Sequence, residues 1–343
     1  MKIDRDPLVG ILTAGKADGT VAGNGRLFRN LQKKLISLGG VSFVFTLDGV
    51  YEHTMKGFIY LPDENRWRKG EFPYPDIVYN RIPFRKSEQT KECRDFFSRL
   101  TKKGIPFFNP CFIDKYELYC LLKDHPVLGD FLPKTILVTQ KKELALFIDT
   151  YPVIYLKPVH SSKGKGIFRL RRRLEQIQLE GIKSSETFSS FEDFWACWGT
   201  RLLEKSYLAQ EGIDPAEVDG NRYDFRILAH GDGHEYTITG IGIRQSVRQD
   251  ITTHIPTGGR LLPYERLRTS LHDQFIYTIV PYIGKTLSKQ FGYFGEFSID
   301  AGLSKTGHYY IYEVNSKPMS FDETEIEMRR IDRLSRLFGS LLS

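Results

Sequence analysis

The stretch that decides the fold is GEFSIDAGLSKTGHYYIYEVNSKP, residues 295–318. Polar and apolar residues alternate in its first half, and a second apolar run follows a Lys-Thr-Gly turn, so the pattern predicts two strands in a hairpin. In such a hairpin Asp300 and Glu313 are cross-strand neighbours or near-neighbours, and they share one face if the turn sets that register. Asn315 lies two residues after Glu313, so its side chain points to that face as well.

These three side chains present two carboxylates and an amide oxygen to one sheet face. Mg²⁺ prefers all-oxygen sites of this kind, in which nucleotide phosphates fill the remaining positions. The pattern therefore predicts a magnesium site formed by Asp300, Glu313 and Asn315. The alternative is a solvated hairpin with scattered acids, because short acidic patterns are common.

Length and composition are those of an ordinary globular protein, with 343 residues of which 41% are hydrophobic and 27% are charged. Such a length predicts two or three domains. The sequence has no apolar run that could span a bilayer and no signal peptide, so we expect a cytoplasmic protein without a membrane partner. Its four cysteines show neither metal-ligand spacing nor a disulfide framework.

The net charge of +7 suits anionic nucleotide and carboxylate substrates. A basic helix with interleaved aromatic residues is absent from the sequence, and so is an RNA-binding signature. We therefore expect no nucleic-acid partner. A steep salt-dependent affinity for DNA or RNA would revive that alternative.

The first 110 residues indicate a compact α/β domain. The predicted elements are strand 8–13, helix 27–38, strands 41–47, 58–61 and 77–79, helix 88–103 and strand 105–108. The loop AGKADGTVAGNG after the first strand does not match the GxGxxG dinucleotide fingerprint.

The next region carries a lysine inside an apolar strand, VIYLKPV at 153–159. A buried Lys157 requires a nearby anion, because an unpaired buried charge is costly. The alternative is an edge strand with Lys157 facing solvent. The loop HSSKGKG at 160–166 follows, and we predict that it covers phosphates, since its glycines admit backbone N–H groups and its lysines neutralise charge. A flexible basic turn is the alternative.

Residues 169–173 are expected to form a solvated strand edge and 181–190 a loop, and 207–213 is a strand that runs into a connection. Such a connection between two lobes suits an adenine, which needs one backbone donor, one acceptor and apolar walls. Further elements are strand 236–244, a glycine loop at 258–260, a helix from about 263 to 291 and a terminal amphipathic helix at about 323–342.

The strand NRYDFRILA at 221–229 alternates so that Arg222, Asp224 and Arg226 share one face. Two arginines that flank an aspartate can hold carboxylate or phosphoryl oxygens in a fork. A salt-bridge ladder on the surface is the alternative.

The order of these features resembles the ATP-grasp superfamily, which includes D-alanine–D-alanine ligase, glutathione synthetase and the ribosomal-protein glutamate ligases. The shared order is a lysine strand, a glycine loop, a QEGI hinge, a DFR strand, a GG loop and a final Asp…Glu-x-Asn hairpin, over about 115–318. The whole chain is more narrowly similar to the YheC/YheD family of endospore coat-associated proteins. The segments that carry this likeness are PYPDIVYNRI (73–82), FNPCFIDKYEL (108–118), FLPKT (131–135), LKPVHSSKGKGI (156–167), AQEGI (209–213) and YEVNSKP (312–318).

The resemblance implies an α/β protein with α+β lobes: an ATP-grasp fold that follows an N-terminal α/β pre-ATP-grasp domain. The N-terminal domain would occupy 1–110. The first ATP-grasp lobe, with the phosphate-covering loop, would occupy 111–205. The second lobe, with the magnesium hairpin and the C-terminal helix, would occupy 206–343.

The resemblance also implies ATP and Mg²⁺ as cofactors and a role for each site residue. The nucleotide would be bound by Lys115, Lys157, Ser161, Ser162, Lys163, Gly164, Gly166, Gln210, Glu211 and Ile213. Asp300, Glu313 and Asn315 would hold the metal. Arg226 and Arg244 would be catalytic and would stabilise charge on the transferring phosphoryl group or the acyl phosphate. Asn80 and Arg81 of the N-terminal domain would help to form the substrate cleft.

The chain departs from the family pattern at one point. Ligases of this type often have an asparagine a few residues before the GG loop, and His254 occupies that region here. The way in which the acceptor or a second metal is held is therefore left open. Glu296, four residues before Asp300 on the same strand face, is a candidate replacement.

The expected activity is Mg-ATP-dependent ligation of a carboxylate to an amine or thiol through an acyl phosphate, in sporulation or at the spore coat. Its substrates would be small-molecule or peptide carboxylates and amines. The alternative is a non-catalytic ATP-binding structural protein of the spore coat, with coat proteins as partners.

Overall fold

The computed structural model describes residues 7–160, 166–174, 176–246 and 259–342. The strands in these ranges form three sheets, and helices pack against them. None of the helices in the described part of the chain is long and apolar enough to cross a membrane. The architecture is the predicted α/β class with α+β lobes.

The first sheet lies at the N-terminus and has the order β4-β3-β2-β1-β5-β6, with β1 parallel to both β2 and β5. Its elements are β1 (Leu8–Leu12), α1 (Gly25–Ser37), β2 (Val41–Val50), β3 (Thr54–Leu61), β4 (Arg66–Pro73), β5 (Ile77–Asn80), α2 (Arg85–Glu88), α3 (Lys91–Lys102) and β6 (Phe107–Phe108). Side chains on alternate sides of the strands pack under α1 on one face and α3 on the other. The sequence did not predict β4, because this edge strand is charged and lacks apolar alternation.

The second sheet is antiparallel and has the order β11-β10-β9-β8-β12-β7. The elements that follow the first sheet, up to the last strand of the second sheet, are α4 (Lys115–Leu122), a 3₁₀ turn (Gly129–Phe131), β7 (Thr135–Leu137), α5 (Lys141–Thr150), β8 (Val153–Pro158), β9 (Phe168–Arg173), β10 (Gln176–Glu180), β11 (Ser185–Phe188), α6 (Phe191–Glu204) and β12 (Tyr207–Glu211). The strand β8, which carries Lys157, lies between β9 and β12, so the edge-strand alternative is wrong.

Two further expectations for this region are wrong. The segment 181–190, expected as a loop, contains β11, and the basic residues 169–173 lie inside the sheet between β8 and β10. In the basic run Arg172 and Arg173 are exposed, as expected of a solvated segment, whereas Arg169 Nε donates to Glu180 Oε2 on β10 at 2.6 Å. Because this cross-strand ion pair takes the place of an apolar contact, the sequence pattern looks like that of a solvated segment.

The third sheet is also antiparallel and has the order β16-β15-β14-β17-β18, with β13 paired to β14. Its elements and the terminal helix are β13 (Glu217–Val218), β14 (Asn221–Gly231), β15 (Tyr236–Ser246), β16 (Gly259–Leu262), α7 (Ser270–Phe291), β17 (Glu296–Leu303), β18 (Tyr309–Asn315) and α8 (Thr324–Ser340). The helix α7 begins later than the sequence predicted, because Thr269 caps it by accepting a hydrogen bond from the His272 N–H at 3.1 Å. Gly259 begins β16 rather than a loop, and Gly258 lies outside the described residues.

The two faces of the third sheet differ in character, as the alternation in β14 predicts. Tyr223, Phe225 and Ile227 pack with α7 and with apolar residues of the segment 113–132 in one core. Arg226 and Asp300 lie on the opposite face, where they pair across β14 and β17. The division into domains at 110 and 205 stays a prediction.

A buried carboxylate joins the first sheet, the third sheet and α8. Glu296 on β17 is fully buried, and Arg330 of α8 donates to both of its oxygens at 2.8 Å. Arg81, which follows β5, donates to Glu296 Oε1 at 2.9 Å. The pKa of Glu296 is held well below its ordinary value, since Arg330 and Arg81 outweigh the effect of burial, which acts to raise it.

The backbone beside this carboxylate is fixed by Asn109, which has a φ of +57° that asparagine tolerates. Its Nδ2 donates to the carbonyl oxygen of Glu296 at 2.7 Å, and its Oδ1 accepts from the Gly295 N–H at 3.0 Å. The link after the first sheet is thus hydrogen-bonded directly to the start of β17.

Arg330→Met tests whether this cluster determines stability. The change leaves the charge of Glu296 only partly compensated in the interior, and we expect a loss of about 3–5 kcal/mol in the free energy of unfolding, read from urea unfolding curves. The matched control is Arg336→Met, on the exposed side of the same helix, which should change stability little. Equal losses in both variants would contradict the role of the cluster.

Candidate functional site

A row of residues crosses the open face of the third sheet, one from each of four adjacent strands. Gly242 pairs with Arg226, Arg226 pairs with Asp300, and Asp300 pairs with Glu313. Directly paired residues of antiparallel strands have their side chains on the same face. Asn315 Nδ2 donates to Asp300 Oδ2 at 3.2 Å, so the structure brings the three predicted metal ligands together.

The surroundings of Asp300 fit a cation. Burial raises the pKa of Asp300 above its ordinary value; Arg226 and Arg244 oppose this shift, and Glu313 adds to it. In the described ranges no group of three or more His, Cys, Asp and Glu could hold a metal ion. Mg²⁺ bound here would therefore depend on two carboxylates, the amide oxygen of Asn315 and ligands from outside the protein, a donor set that suits Mg²⁺.

Lys115 approaches this row from α4. It is the first residue of the helix, whose N-cap Asp114 accepts hydrogen bonds from the N–H groups of Tyr116 and Glu117. The Lys115 ammonium donates to Glu313 Oε1. Burial acts to raise the pKa of Glu313, but Lys115 and then Lys157 outweigh it and the pKa is lowered, so this carboxylate is held ionised.

Lys157 reaches the same place from the second sheet. Its Nζ donates to Gln210 Oε1 at 2.6 Å, and Gln210 Nε2 donates to Thr135 Oγ1 at 3.0 Å. Burial lowers the pKa of Lys157 to about 8, because the carboxylate of Glu313 only partly offsets it. An anion that binds beside Lys157 would stabilise its charged form, as the sequence predicts.

A cleft separates the two sheets at this point. Its empty volume, counted out to the open mouth, is about 720 Å³, which is in the range of small-molecule sites. Lys115, Lys157, Gln210 and Glu313 provide its charged and polar groups. The other lining residues, which sequence reasoning missed, are Leu118, Tyr119, Leu132, Pro133, Thr135, Ile167, Leu208, Ile311 and Tyr312. Some of them lie in the segments that carry the family likeness, such as 131–135 and 156–167, but the apolar ones show only ordinary periodicity, which does not distinguish a cleft wall from a core.

The other predicted nucleotide ligands are placed differently. Glu211 accepts a hydrogen bond from the Lys134 N–H at 2.9 Å, and neither it nor Ile213 is among the residues that line the described cleft. Gly166 adopts a φ of +75°, which favours glycine, and any Cβ there would crowd Pro158 at 3.0 Å. The predicted residues that lie outside the described part of the chain are Ser161, Ser162, Lys163, Gly164 and His254.

The two predicted catalytic arginines are each 7% exposed. The salt-bridge ladder considered for β14 is present in part, since Arg222 Nη2 and Asp224 Oδ2 are 3.7 Å apart, but Arg226 is buried rather than on the surface. Arg226 Nη2 is 3.4 Å from the Met319 carbonyl oxygen, and Arg244 Nη2 is 3.4 Å from Asp322 Oδ2. The Nε of each guanidinium is buried and has no hydrogen-bond partner within the described ranges. Buried donors without partners are rare in native structures and indicate a site for an anion.

Three residues considered for the site have structural roles instead. Glu296 is bound by Arg330 and Arg81, so neither its oxygens nor the Arg81 guanidinium reaches the open face. Asn80 is fully buried and donates to Glu88 Oε1 at 2.8 Å. Glu296 therefore does not replace the missing family asparagine.

Comparison with known proteins matches residues 104–338 to the family model described as YheC/D like ATP-grasp. The chain is 27% identical over 349 residues to the endospore coat-associated protein YheD of Bacillus subtilis (strain 168), covering 96% of this chain and 76% of that protein.

Two solved structures share the fold. One is D-alanyl-alanine synthetase A of Vibrio cholerae, with a TM-score of 0.58, 12% identity and 98% of each chain covered. The other is the ATP-grasp ligase PsnB complexed with minimal precursor, with a TM-score of 0.54, 15% identity, and 92% and 91% of the two chains covered.

Lys157→Met tests the energetic cost of the buried lysine. Because the pKa of Lys157 is lowered to about 8 in the folded chain, the charged form destabilises the fold below about pH 8, and the penalty vanishes as the pH rises toward about 10.4, the ordinary lysine value. We expect Lys157→Met to raise the free energy of unfolding by about 1–3 kcal/mol at neutral pH, and this gain to shrink above about pH 8.

Urea unfolding at a series of pH values measures this difference. Lys142→Met, which removes an exposed lysine on α5, is the control and should show no such pH dependence. A constant gain across the pH range would mean that Lys157 is not destabilised by its charge.

Proposed function

The chain belongs to the YheC/D-like ATP-grasp family, and on that premise we propose that it is a Mg-ATP-dependent ligase that joins a carboxylate to an amine or a thiol. The observation that carries the proposal is the meeting of two lysines with the carboxylate of Glu313 at one cleft. Lys115 contacts Glu313, and Lys157 lies on the opposite wall beside Gln210.

In this proposal the nucleotide occupies the cleft between the second and third sheets. Lys115 and Lys157 neutralise its phosphates, and the apolar walls enclose its base, as in small-molecule sites generally. Asp300, Glu313 and Asn315 would hold Mg²⁺, which neutralises charge on the phosphates when it is bound. The loop that contains Ser161, Ser162, Lys163 and Gly164 stays a predicted phosphate cover.

The proposed reaction has two steps. A carboxylate oxygen of the substrate bonds to the γ-phosphorus as the bond to the bridging oxygen of ADP breaks, which yields an acyl phosphate. The acceptor nitrogen or sulfur then bonds to the acyl carbon, and phosphate leaves. Arg226 and Arg244, whose buried Nε–H groups have no partner within the described ranges, are positioned to stabilise the developing negative charge.

The relatives support a substrate class and a location for this proposal. PsnB was solved with a precursor, and the other structure is named as a D-alanyl-alanine synthetase, so peptide or small-molecule carboxylates and amines are the proposed substrates. The name of YheD supports a role in sporulation, in the cytoplasm or at the spore coat, where coat proteins would be further partners.

Glu313→Gln tests the metal and nucleotide site. The amide keeps the shape but removes the charge that Lys115, Lys157 and Mg²⁺ share, so we expect Mg-dependent binding of a non-hydrolysable ATP analogue to weaken by about a hundredfold in calorimetry. Glu204→Gln, at the exposed end of α6, is the control and should bind like the wild type. Unchanged Mg-dependent affinity in Glu313→Gln would refute the assignment.

The same binding should depend on pH through Lys157. Only its ammonium form neutralises phosphate, and with a pKa of about 8 in the free protein that form is lost as the pH rises. We expect the affinity for the Mg-bound analogue to fall above about pH 8 by up to about tenfold per pH unit. The fall should be absent in Lys157→Met, which binds more weakly throughout, and an identical fall in both proteins would assign it to another group.

A further inference from the structure

A carboxylate that has no hydrogen-bond partner among the described residues lies next to the proposed site. Glu323 is the residue before α8, and its side chain makes no capping hydrogen bond. Both of its oxygens are withdrawn from solvent, and neither has a hydrogen-bond partner within the described residues. Because an unpaired buried carboxylate is costly, its presence in a native structure indicates that a ligand completes it.

The carboxylate of Glu323 lies at the end of the row of site residues that crosses the third sheet. A methyl group added at Gly242 would overlap Oε1 of Glu323, so the carboxylate lies in the space that a side chain on β15 would fill. Gly242 pairs with Arg226, which pairs with Asp300. Since neighbouring strands are about 5 Å apart, Glu323 lies about 10 Å across the sheet from Asp300, on the far side of Arg226.

The charges nearby leave Glu323 available to a cation. Burial and the neighbouring Arg226 lower the pKa of Arg244, while Asp300, Asp322 and Glu323 act in the opposite direction. The hydrogen bond from Arg244 goes to Asp322, at 3.4 Å. Glu323 therefore acts on Arg244 through its charge at a distance, while the hydrogen bond from Arg244 goes to Asp322 and leaves the charge of Glu323 in place.

A groove connects Glu323 to the outside. It runs between β15, β16 and the beginnings of α7 and α8, and its empty volume, counted out to its open mouth, is about 1520 Å³. Leu261, Tyr277 and Ile326 are among its apolar walls, and Glu323 forms part of its lining. Because the Glu323 side chain borders this groove, a turn of its carboxylate toward the groove would expose the oxygens to a molecule that enters from the side opposite the nucleotide cleft.

We propose that Glu323 binds the amine of the acceptor substrate as its ammonium ion, so that the enzyme selects an amine rather than a thiol. This inference rests on the proposed ligase function. A divalent metal is a poorer occupant, because the described residues offer no cluster of three or more metal-ligating His, Cys, Asp and Glu, and Mg²⁺ takes six oxygens. The groove lining combines apolar walls with three further carboxylates, Glu265, Asp273 and Glu325, against two arginines, Arg268 and Arg329, so its excess of negative charge suits an organic cation.

The position also accounts for the protons of the second step. The nitrogen bonds to the acyl carbon as the carbon–oxygen bond to phosphate breaks. An ammonium nitrogen has no lone pair, so the carboxylate of Glu323 accepts one proton before the nitrogen attacks and passes that proton to water. The departing phosphate takes the second proton as the amide forms.

The test uses methylammonium as the probe. Full-length protein labelled with ¹³C at glutamate is titrated with methylammonium chloride at constant ionic strength, both free and saturated with Mg²⁺ and a non-hydrolysable ATP analogue. We expect the Cδ resonance of Glu323, assigned by its loss in Glu323→Gln, to shift and saturate. Tetramethylammonium, which has the same charge but no N–H donor, should produce no saturable shift. Competition measured on the ligand resonance should show binding weakened by about tenfold or more in Glu323→Gln.

Two further variants separate the possible outcomes. Asp332→Asn, on the same helix but paired with Lys34 of α1, should bind methylammonium like the wild type, whereas Gly242→Ala should weaken binding by displacing the carboxylate. A linear shift, or equal shifts with both cations, overturns the ammonium site even if the nucleotide binds. Failure of the nucleotide to bind while methylammonium saturates Glu323 would instead overturn the ligase proposal and leave a cation site.

Discussion

The buried carboxylate of Glu296 is the constraint on which the rest of the structure depends. It lies on the strand that also carries Asp300, and its two arginine partners come from the first sheet and from the last helix. A charge in the interior is stable only when all its oxygens are satisfied, so the three parts must meet in one arrangement. That arrangement holds α8 against the sheet and brings the residue before it, Glu323, over Gly242.

The candidate site is a second place in the structure where side chains of opposite charge meet. Lysines from α4 and β8 face the carboxylate of Glu313 across a cleft, and Asp300 lies beside Glu313 on the next strand. The lowered pKa of Lys157 and the raised pKa of Asp300 show that burial disfavours the charged form of both side chains, and the arginines keep donors without partners in the described part of the chain. These costs are consistent with a site organised in advance for an anion and its metal, in which ligand binding supplies the missing interactions.

The two faces of the third sheet have different roles, one in stability and the other in the candidate site. One face is apolar and packs with α7, which fixes the strands, while the other carries Arg226, Asp300 and Glu313 in register. Glycines on β15 let α8 approach this second face closely: Ile326 packs over Gly240 as Glu323 does over Gly242. A rigid sheet thus presents the charged groups at spacings set by strand pairing.

The sequence by itself determined the local elements and the family. The hairpin pattern predicted that Asp300, Glu313 and Asn315 would meet on one face. The register next to the turn pairs Ala301 with Ile311, and a β-bulge after Asp300 then places it opposite Glu313 rather than Tyr312, a shift that the period of two does not predict. Only the tertiary structure decided that β8 and β9 are interior strands, that Glu296 and Arg81 stabilise a joint, and that Glu323 lies beside Arg226. The physical reason is the separation along the chain. Arg81 and Glu296 are 215 positions apart, and local periodicity carries no information about such a pairing.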